Sequence, residues 1–416
     1  MARLRLLALM TVCGVALADP PTDFTLTIPI SVIVPRTGQP YPFACSVPCG
    51  LPEPVRALAF SPDGKTLAQS GYQEVLLWDL ERAGLAWRLG GGTLSEVITS
   101  LQFTLDGKRL AVGEGEPGRR GVVRLLDAAT GTTQAKFDQA TDTISALAQS
   151  PDGKLLVAGG SDGKLYVLKA ADATLIQAIE AHEPGAVAVA FSADGTLFAS
   201  AGTDRRVRIW EVDGLKPQIT LRQLDSALGV AFNADGSQLA VAVAGPTERM
   251  VRWRARDGRA LRQAEIAPGS PLGIVWHHKN NRVYVPCSDK VIRAIDPGNG
   301  NITQTLVGHG DWIYTICVSP DGARLASGSA DGTVRLWRLS DGKHLATLVQ
   351  LGAQAQHWLI VSALGFLSTS NIGQLSWLYE KDHPLPPNLG NLLLSASMTG
   401  KALMGDLSPL KVTPPR

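Results

Sequence analysis

Residues 309–337 read HGDWIYTICVSPDGARLASGSADGTVRLW, and the order of apolar segments and turns in them indicates how the chain folds. An alternating apolar segment is followed by the turn Pro320-Asp321-Gly322, a run of small residues, the turn Asp331-Gly332 and a β-branched segment that ends in Trp337. Proline fits the fixed φ of a turn, and glycine supplies the left-handed residue that reverses the chain. The stretch therefore predicts three short antiparallel strands, and the next turn at Asp341-Gly342 predicts a fourth.

The first of these turns recurs along the chain. It begins at Asp63, Asp106, Asp152, Asp194, Asp235 and Asp321, so the intervals are 43, 46, 42, 41 and 86 residues, the last being twice 43. The missing turn falls near residue 278, where residues 277–281 read HHKNN. The repeat predicts seven units of about 43 residues between residues 55 and 349, and four short strands per unit are typical of propeller blades.

A set of four residues with spacings of 18, 4 and 6 occurs twice in these units. The two sets are His182, Ser200, Asp204, Trp210 and His309, Ser327, Asp331, Trp337. With the repeat, they make residues 55–349 resemble the WD40 family, whose blades are braced by a hydrogen-bonded His, Ser or Thr, Asp and Trp. The resemblance implies an all-β, WD40-like β-propeller in which a satisfied polar chain fixes strand register. We interpret both sets as structural tetrads and not as catalytic triads, because a nucleophile would also need an oxyanion site.

The other blades depart from this pattern. Trp78 and Trp253 occur without the histidine, while Leu126, Leu168 and Ile295 fill the tryptophan place. We expect these blades to depend more on apolar packing.

The segments outside the seven units favour an eighth blade. Residues 350–416 would supply three of its strands, since residues 392–407 align with residues 324–339, and residues 363–391 would be an insertion. The fourth strand would be residues 24–34, within the N-terminal segment 19–54. Pairing the two ends of the chain would close the ring and cover open sheet edges. The alternative is seven blades plus a terminal cap.

The N-terminus is typical of a secretory signal peptide, residues 1–18. Arg3 and Arg5 precede an apolar run that ends in the A-x-A cleavage motif Ala16-Leu17-Ala18. We therefore expect an exported protein, periplasmic or secreted. The formal charge of +2 comes from these two arginines, so the rest of the chain is neutral and has no bulk electrostatic footprint for nucleic acid. No later stretch is long and apolar enough to predict a membrane span.

Four cysteines follow the signal. Cys45 and Cys49 flank a short loop and are a candidate disulfide in an oxidising compartment. Cys287 and Cys317 lie in separate predicted strands, where either a disulfide or buried thiols are expected. The spacings match no C-x-x-C pair, so no metal site is predicted.

A basic rim is the candidate binding surface. The loops between second and third strands, with one aromatic between blades, contribute Arg119, Arg120, Arg205, Arg206, Arg249, Lys290 and Trp312. A rim of this kind favours an acidic protein partner. The alternative is that these loops carry charge for solubility, since Glu114, Glu116 and Glu248 lie among the arginines.

A propeller enzyme of the hydrolase or lactonase type is the competing function. The first strands, which would line the central channel, contain no Asp or Glu. The adjacent His277 and His278 lie at the opposite end, where we expect a solvated turn and no shared metal. The sequence therefore favours an exported, monomeric propeller without a cofactor, which acts as a platform for protein partners and has no catalytic residues.

Overall fold

Seven groups of four antiparallel strands follow one another along the chain, and each group is one blade of a propeller. The structure is a computed structural model, and it describes residues 25–33, 40–48, 53–90, 92–94, 96–351, 357–363, 367–370, 376–378 and 396–405. Within a blade the strands pair in chain order, so the first strand of each blade is at one edge of its sheet and the fourth strand lies three places away.

The first three blades contain twelve strands. Blade 1 contains β3 (Leu58–Phe60), β4 (Thr66–Gly71), β5 (Glu74–Asp79) and β6 (Gly84–Leu89). Blade 2 contains β7 (Val97–Phe103), β8 (Arg109–Glu116), β9 (Arg120–Asp127) and β10 (Thr133–Ala140). Blade 3 contains β11 (Ile144–Gln149), β12 (Leu155–Gly160), β13 (Lys164–Lys169) and β14 (Leu175–Glu180).

The remaining four blades repeat this plan. Blade 4 contains β15 (Ala186–Phe191), β16 (Leu197–Gly202), β17 (Arg206–Glu211) and β18 (Pro217–Arg222), with a short 3-10 helix at Asp213–Leu215. Blade 5 contains β19 (Ser226–Phe232), β20 (Gln238–Ala244), β21 (Arg249–Ala255) and β22 (Ala260–Glu265). Blade 6 contains β23 (Val275–His277), β24 (Arg282–Pro286), β25 (Val291–Ile295) and β26 (Ile302–Val307). Blade 7 begins with β27 (Ile313–Val318), β28 (Arg324–Ser329), β29 (Thr333–Arg338) and β30 (His344–Leu351).

Local turn chemistry explains the recurring first hairpin. In blade 3, Ser150 Oγ donates a hydrogen bond of 2.6 Å to Asp152 Oδ1, which also accepts one of 3.0 Å from the backbone N–H of Lys154. Gly153 has a φ of +74°, a left-handed conformation that favours glycine. The same serine or threonine to aspartate bond is found in blades 1, 2, 4 and 7.

The ring closes with seven blades. β27 and β28 of blade 7 pack against β3 of blade 1, and one hydrophobic cluster that includes Trp78, Val334 and Leu336 spans this seam. The alternative count of seven blades is therefore confirmed, and the favoured count of eight is wrong. Because blades 7 and 1 are already in contact, no gap remains in the ring for another blade.

The segment expected to form the eighth blade has two other roles. Strands β31 (His357–Ser362) and β32 (Leu367–Thr369) continue the sheet of blade 7 outward to six strands. Within residues 392–407, where strands were predicted, the chain instead forms the helix α1 (Ala396–Leu403), which packs on β30 and β31. The helix also lies against blade 1, where a Cβ on Gly400 would stand 2.1 Å from the carbonyl oxygen of Glu81.

The predicted ring-closing strand does not join a blade. Strand β1 (Thr25–Ile33) pairs with β2 (Pro40–Pro48), which pairs with β33 (Ser376–Leu378) in a separate three-stranded sheet. Residues 24–34 therefore contain the strand that was predicted but not the pairing. The signal peptide, residues 1–18, and Cys49 lie outside the described residues, and the Cys45–Cys49 disulfide stays a prediction.

Candidate functional site

The first strands of all seven blades line a central channel that encloses a cavity of about 240 Å³. Its lining is built mainly from aliphatic residues together with Ser, Thr and Gly, and the described residues that line it include no Asp, Glu, His or Cys. The charged side chain at the lining is Arg56, whose guanidinium carbon lies 5.5 Å from the centre of the Tyr314 ring. Groups that could act as a general acid or base at pH 7 are therefore not found along the described lining.

The four tetrad residues of blade 4 form a continuous hydrogen-bonded chain. His182 Nδ1 is 2.9 Å from Asp204 Oδ1, and His182 Nε2 is 2.8 Å from Ser200 Oγ. Ser200 Oγ also accepts a hydrogen bond of 2.9 Å from the indole N–H of Trp210. Arg208 Nη1 donates to the other carboxylate oxygen of Asp204 at 2.8 Å. These hydrogen bonds connect the segment before the first strand of the blade to its second and third strands.

The tetrad of blade 7 has the same geometry. His309 Nδ1 is 3.0 Å from Asp331 Oδ2, His309 Nε2 is 2.7 Å from Ser327 Oγ, and Trp337 Nε1 donates to Ser327 Oγ at 2.8 Å. The Asp331 carboxylate also accepts a hydrogen bond of 2.7 Å from the backbone N–H of Gly310. Both serines are buried and already engaged by a histidine and a tryptophan, as a brace requires.

Burial lowers the pKa of both tetrad histidines, and the hydrogen bond to the aspartate offsets this effect only in part. Burial opposes ionisation of Asp204, but hydrogen bonds from Arg208 and His182 outweigh it and lower the pKa of the carboxyl group. At neutral pH each pair is therefore a neutral imidazole that donates to an ionised carboxylate.

The blades that lack the histidine are braced by ion pairs and hydrogen bonds in addition to apolar packing. Every blade places a carboxylate beside the turn between its second and third strands, and blades 1, 2, 5 and 6 pair it with an arginine: Glu74 with Arg88, Glu114 with Arg124, Glu248 with Arg252, and Asp289 with Arg293. In blade 3 the partner is a tyrosine hydroxyl, which donates from Tyr166 to Asp162 at 2.6 Å. The expectation that these blades depend more on apolar packing therefore leaves out these polar contacts.

Trp78 and Trp253 do not have equivalent positions. Trp78 packs toward the preceding blade, and its indole N–H donates a hydrogen bond of 2.8 Å to Gln69, which replaces the tetrad serine. Trp253 packs toward the following blade, with Ile274 and Trp276, and its buried indole N–H has no partner among the described residues. The tryptophan place of blade 5 is therefore taken by Arg254, which lies two residues after Arg252 on the same face of the strand.

The predicted basic rim lies at one end of the ring. Because the strands of each blade are antiparallel, the turns between second and third strands and the segments that join successive blades meet at the same end, which we call the top face. All seven predicted rim residues lie on it. Arg119 and Arg120 are on blade 2, Arg205 and Arg206 on blade 4, Arg249 on blade 5, Lys290 on blade 6, and Trp312 in the segment that enters blade 7.

The rim has two electrostatically different parts. On blade 2, Arg119 is paired with Glu116 at 2.8 Å and Arg120 with Glu96 at 3.4 Å. On blades 4 to 6, four cations have no ion-pair partner within the part of the chain that the structure describes: Arg205, Arg206, Arg249 and Lys290. We call these four residues the basic arc. Exposed acidic residues at this end, such as Glu183 and Glu265, are not paired with them.

The tryptophans Trp312 and Trp358 differ in their surroundings. Trp312 is partly buried, and its ring meets the Tyr314 ring edge to face at a centroid distance of 6.4 Å. Trp358 packs in the same manner on Trp78 of blade 1, at 6.0 Å, and belongs to the seam between blades 7 and 1. Trp358 is therefore a packing residue, while Trp312 stands at the mouth of the channel beside the Arg56–Tyr314 contact.

Cys287 and Cys317 are free thiols in the structure. Burial raises the pKa of each thiol to about 12. Since the thiolate is the reactive form, both are chemically quiet at neutral pH.

His277 is buried at the end of β23, whereas His278 is exposed in the turn that follows. The buried ring of His277 accepts hydrogen bonds of 3.1 Å from the backbone N–H groups of Lys279 and Asn280 through Nδ1. Its Nε2 lies 2.9 Å from the carbonyl oxygen of Gly322 in the next blade. The expected solvated role is therefore correct only for the exposed His278, because His277 occupies the place of the turn serine.

Neither a metal site nor a membrane-spanning helix is found among the described residues. They contain no cluster of three or more His, Cys, Asp or Glu side chains with the geometry of a metal site. None of their helices has the length and apolar character needed to cross a membrane.

The fold and the tetrads define the class of protein as a seven-bladed β-propeller. Comparison with known families agrees, because residues 131–168, 173–211 and 300–338 match the WD40 family, described as "WD domain, G-beta repeat". The second and third of these segments contain the two complete tetrads. The chain is therefore a WD40-repeat β-propeller.

Two of the similar curated proteins carry the WD repeat in their names. The chain is 25% identical over 256 residues to "WD repeat-containing protein srw1" of Schizosaccharomyces pombe, which covers 60% of this chain and 44% of that protein. It is 24% identical over 264 residues to "WD repeat-containing protein WDS homolog" of Arabidopsis thaliana, covering 60% and 48%. It is 23% identical over 237 residues to "Autophagy-related protein 16" of Arabidopsis thaliana, covering 56% and 46%. The chain thus spans about half the length of these relatives.

Proposed function

We propose that this propeller is a monomeric protein-binding platform whose binding surface is the top face over blades 4 to 6. The observation that carries the proposal is the basic arc: four cations on three adjacent blades without an ion-pair partner among the described residues. The carboxylates beside the turns of the same blades are instead engaged inside the blades, as in the Asp204–Arg208 and Asp289–Arg293 pairs. This surface is complementary to an acidic segment of another protein.

A binding role fits the channel better than a hydrolase or lactonase role does. Hydrolytic sites need a nucleophile with a base beside it, or carboxylates that hold a metal. The described channel lining has hydroxyl groups but no carboxylate or imidazole next to them, and the tetrad serines are buried within the blades. Analysis of purified residues 19–416 for divalent metal tests this part of the proposal, because a stoichiometric metal ion would contradict it.

Export is part of the proposal and rests on the N-terminal sequence. Cleavage after Ala18 would leave a mature chain that begins at Asp19 and carries no net formal charge. Expression of the full chain with a C-terminal tag, followed by cell fractionation and N-terminal sequencing, tests this point. A product outside the cytoplasm that starts at Asp19 is expected, and a cytoplasmic product that retains Met1 would contradict export.

The test of the binding surface is chemical crosslinking and affinity capture from the fraction that contains the protein. Three forms are compared: wild type, the top-face variant Arg205→Glu/Arg206→Glu and the control Lys108→Glu/Lys154→Glu, which makes the same charge change in turns at the opposite end. We expect the top-face variant to lose partners that the wild type and the control retain. Equal capture by all three forms would overturn the basic arc as the binding surface.

A further inference from the structure

Leu224 is an exposed apolar side chain in the middle of the basic arc. It lies in the segment that joins blades 4 and 5, and 58% of it is exposed. The turn that carries Arg205 and Arg206 is on one side of this segment, and the turn that leads to Arg249 is on the other. More than half of this apolar side chain is therefore open to solvent and available to a partner.

The backbone on both sides of Leu224 is held firmly. The N–H of Gln223 donates a hydrogen bond of 2.8 Å to the carbonyl oxygen of Arg205. The buried Asp225 carboxylate accepts hydrogen bonds from the N–H groups of Thr247 at 2.8 Å and Glu248 at 2.6 Å. Leu224 is therefore presented by a fixed loop, which lowers the entropy lost when a partner contacts it.

The cations beside it are also held in an unusual backbone conformation. Arg205 and Lys290 have φ angles of +61° and +71°, at a turn position that blades 3 and 7 fill with glycine. A left-handed conformation is unfavourable for a residue other than glycine. Gln73 in blade 1 has the same conformation without a charge, so the long side chains on blades 4 and 6 are not required by the turn itself.

We infer that the basic arc recognises an acidic protein segment with an apolar residue between its carboxylates. The carboxylates would lie against Arg205 and Arg249, and the apolar side chain would pack on Leu224. This inference rests on the proposed binding function and adds the chemistry of the partner. The apolar contact sets register and discriminates among acidic segments, which charge alone cannot do because exposed ion pairs contribute little and are screened by salt.

Two fluorescent synthetic peptides with the same charge test this inference. One contains two copies of Glu-Glu-Leu-Glu-Glu, and the other has serine in place of leucine. Binding to the full chain is measured by fluorescence anisotropy at low and high salt. We expect the leucine peptide to bind about 10-fold more tightly than the serine peptide, as burial of part of a leucine side chain implies. We also expect both affinities to fall as salt rises.

Variants of the protein test which of its residues contact the peptides. Leu224→Ser should bind both peptides with the weaker affinity, and Arg205→Glu/Arg249→Glu should bind neither. Leu105→Ser is the control, since Leu105 is 53% exposed in a turn at the opposite end, and it should not change binding. Equal affinities of the two peptides for the wild type, an unaltered preference in Leu224→Ser, or no binding of the leucine peptide at 1 mM would overturn the inference. Those results would leave the proposed function standing if affinity capture still depends on Arg205 and Arg206.

Discussion

Arg324 of blade 7 and Gly64 of blade 1 are joined across the seam of the ring, where Arg324 Nη2 donates a hydrogen bond of 2.8 Å to the carbonyl oxygen of Gly64. Arg324 Nη1 donates to the carbonyl oxygen of Leu403 in α1 at 3.0 Å. The guanidinium carbon also lies 5.6 Å from the centre of the Phe60 ring, and the side chain is only 1% exposed. One arginine therefore joins the last blade, the first blade and the C-terminal helix.

Replacement of Arg324 by methionine should destabilise the ring. The variant Arg324→Met keeps much of the apolar volume but leaves the carbonyl groups of Gly64 and Leu403 buried without donors. We expect a loss of about 2–4 kcal/mol in the free energy of unfolding, measured by urea denaturation. The control is Arg282→Met, at the corresponding position of blade 6, where a change within about 0.5 kcal/mol is expected. Similar losses in both variants would contradict a special role for Arg324.

The tetrad residue Ser327 should contribute more to the free energy of unfolding than an exposed serine does. Ser327→Ala leaves His309 Nε2 and Trp337 Nε1 without their shared partner in a buried place. We expect a loss of about 2–3 kcal/mol in the free energy of unfolding, against about 0.5 kcal/mol or less for the exposed turn residue in Ser237→Ala. If Ser327→Ala unfolds at the same urea concentration as wild type, the hydrogen-bonded chain does not brace the blade.

The tetrad histidines should make the protein less stable in mild acid. The folded pKa of His182 and of His309 lies below the ordinary value of about 6.5, so the unfolded chain takes up protons on them at a higher pH than the folded protein does. The free energy of unfolding should therefore fall as the pH drops through about 6.5, with a slope of up to about 1.4 kcal/mol per pH unit for each histidine. The Asp331 carboxylate, whose pKa is lowered by hydrogen bonds despite burial, adds its own loss only in stronger acid.

Urea denaturation between pH 7.5 and 5.0 measures this slope. His309→Gln should reduce the slope, and His182→Gln/His309→Gln should reduce it further, because a glutamine takes up no proton. A slope that is the same in all three proteins would show that other groups cause the acid sensitivity.

Removal of one partner of the Glu114–Arg124 ion pair in blade 2 should destabilise the protein more than removal of both. Glu114 is fully buried, and burial raises the pKa of its carboxyl group even though the paired Arg124 opposes the shift. Arg124→Met would leave an unpaired buried carboxylate, with an expected loss of about 3–5 kcal/mol at pH 7.5. The double variant Glu114→Gln/Arg124→Met should recover most of this loss. A double variant as unstable as Arg124→Met would show that packing, and not charge pairing, holds this part of the blade.

The blades could be predicted from sequence because their determinants are local. The Asp-Gly turns need only a few residues, and each tetrad lies within 29 consecutive residues, so period and spacing show both. Arg324 could not be predicted in the same way, because its partners Leu403 and Gly64 are 79 and 260 residues away. The alignment of residues 392–407 with β28 and β29 predicts strands where the helix α1 forms. The Ala, Met, Lys and Leu residues of this segment also favour a helix.

Trp253 is assigned from the sequence to the tryptophan place of the tetrad, and this assignment is wrong for a different reason. Glu248 precedes Trp253 by five residues, whereas Asp204 precedes Trp210 by six. Successive side chains of a strand alternate between its faces, so this difference of one residue turns Trp253 toward the following blade. Several of the arginine–carboxylate pairs can be predicted from the sequence, since an acidic residue and an arginine four positions later recur in blades 4, 5, 6 and 7.

Hydrogen–deuterium exchange of the full chain with and without a captured partner tests directly whether the basic arc is the binding surface. We predict slower exchange in three turns of the top face, residues 203–206, 245–249 and 288–290, and in the segment around Leu224. The turns at the opposite end, such as residues 62–65 and 151–154, should exchange at the same rate in both states. Protection confined to that opposite end, or to the outer strands of the blades, would contradict the assignment of the basic arc as the binding surface.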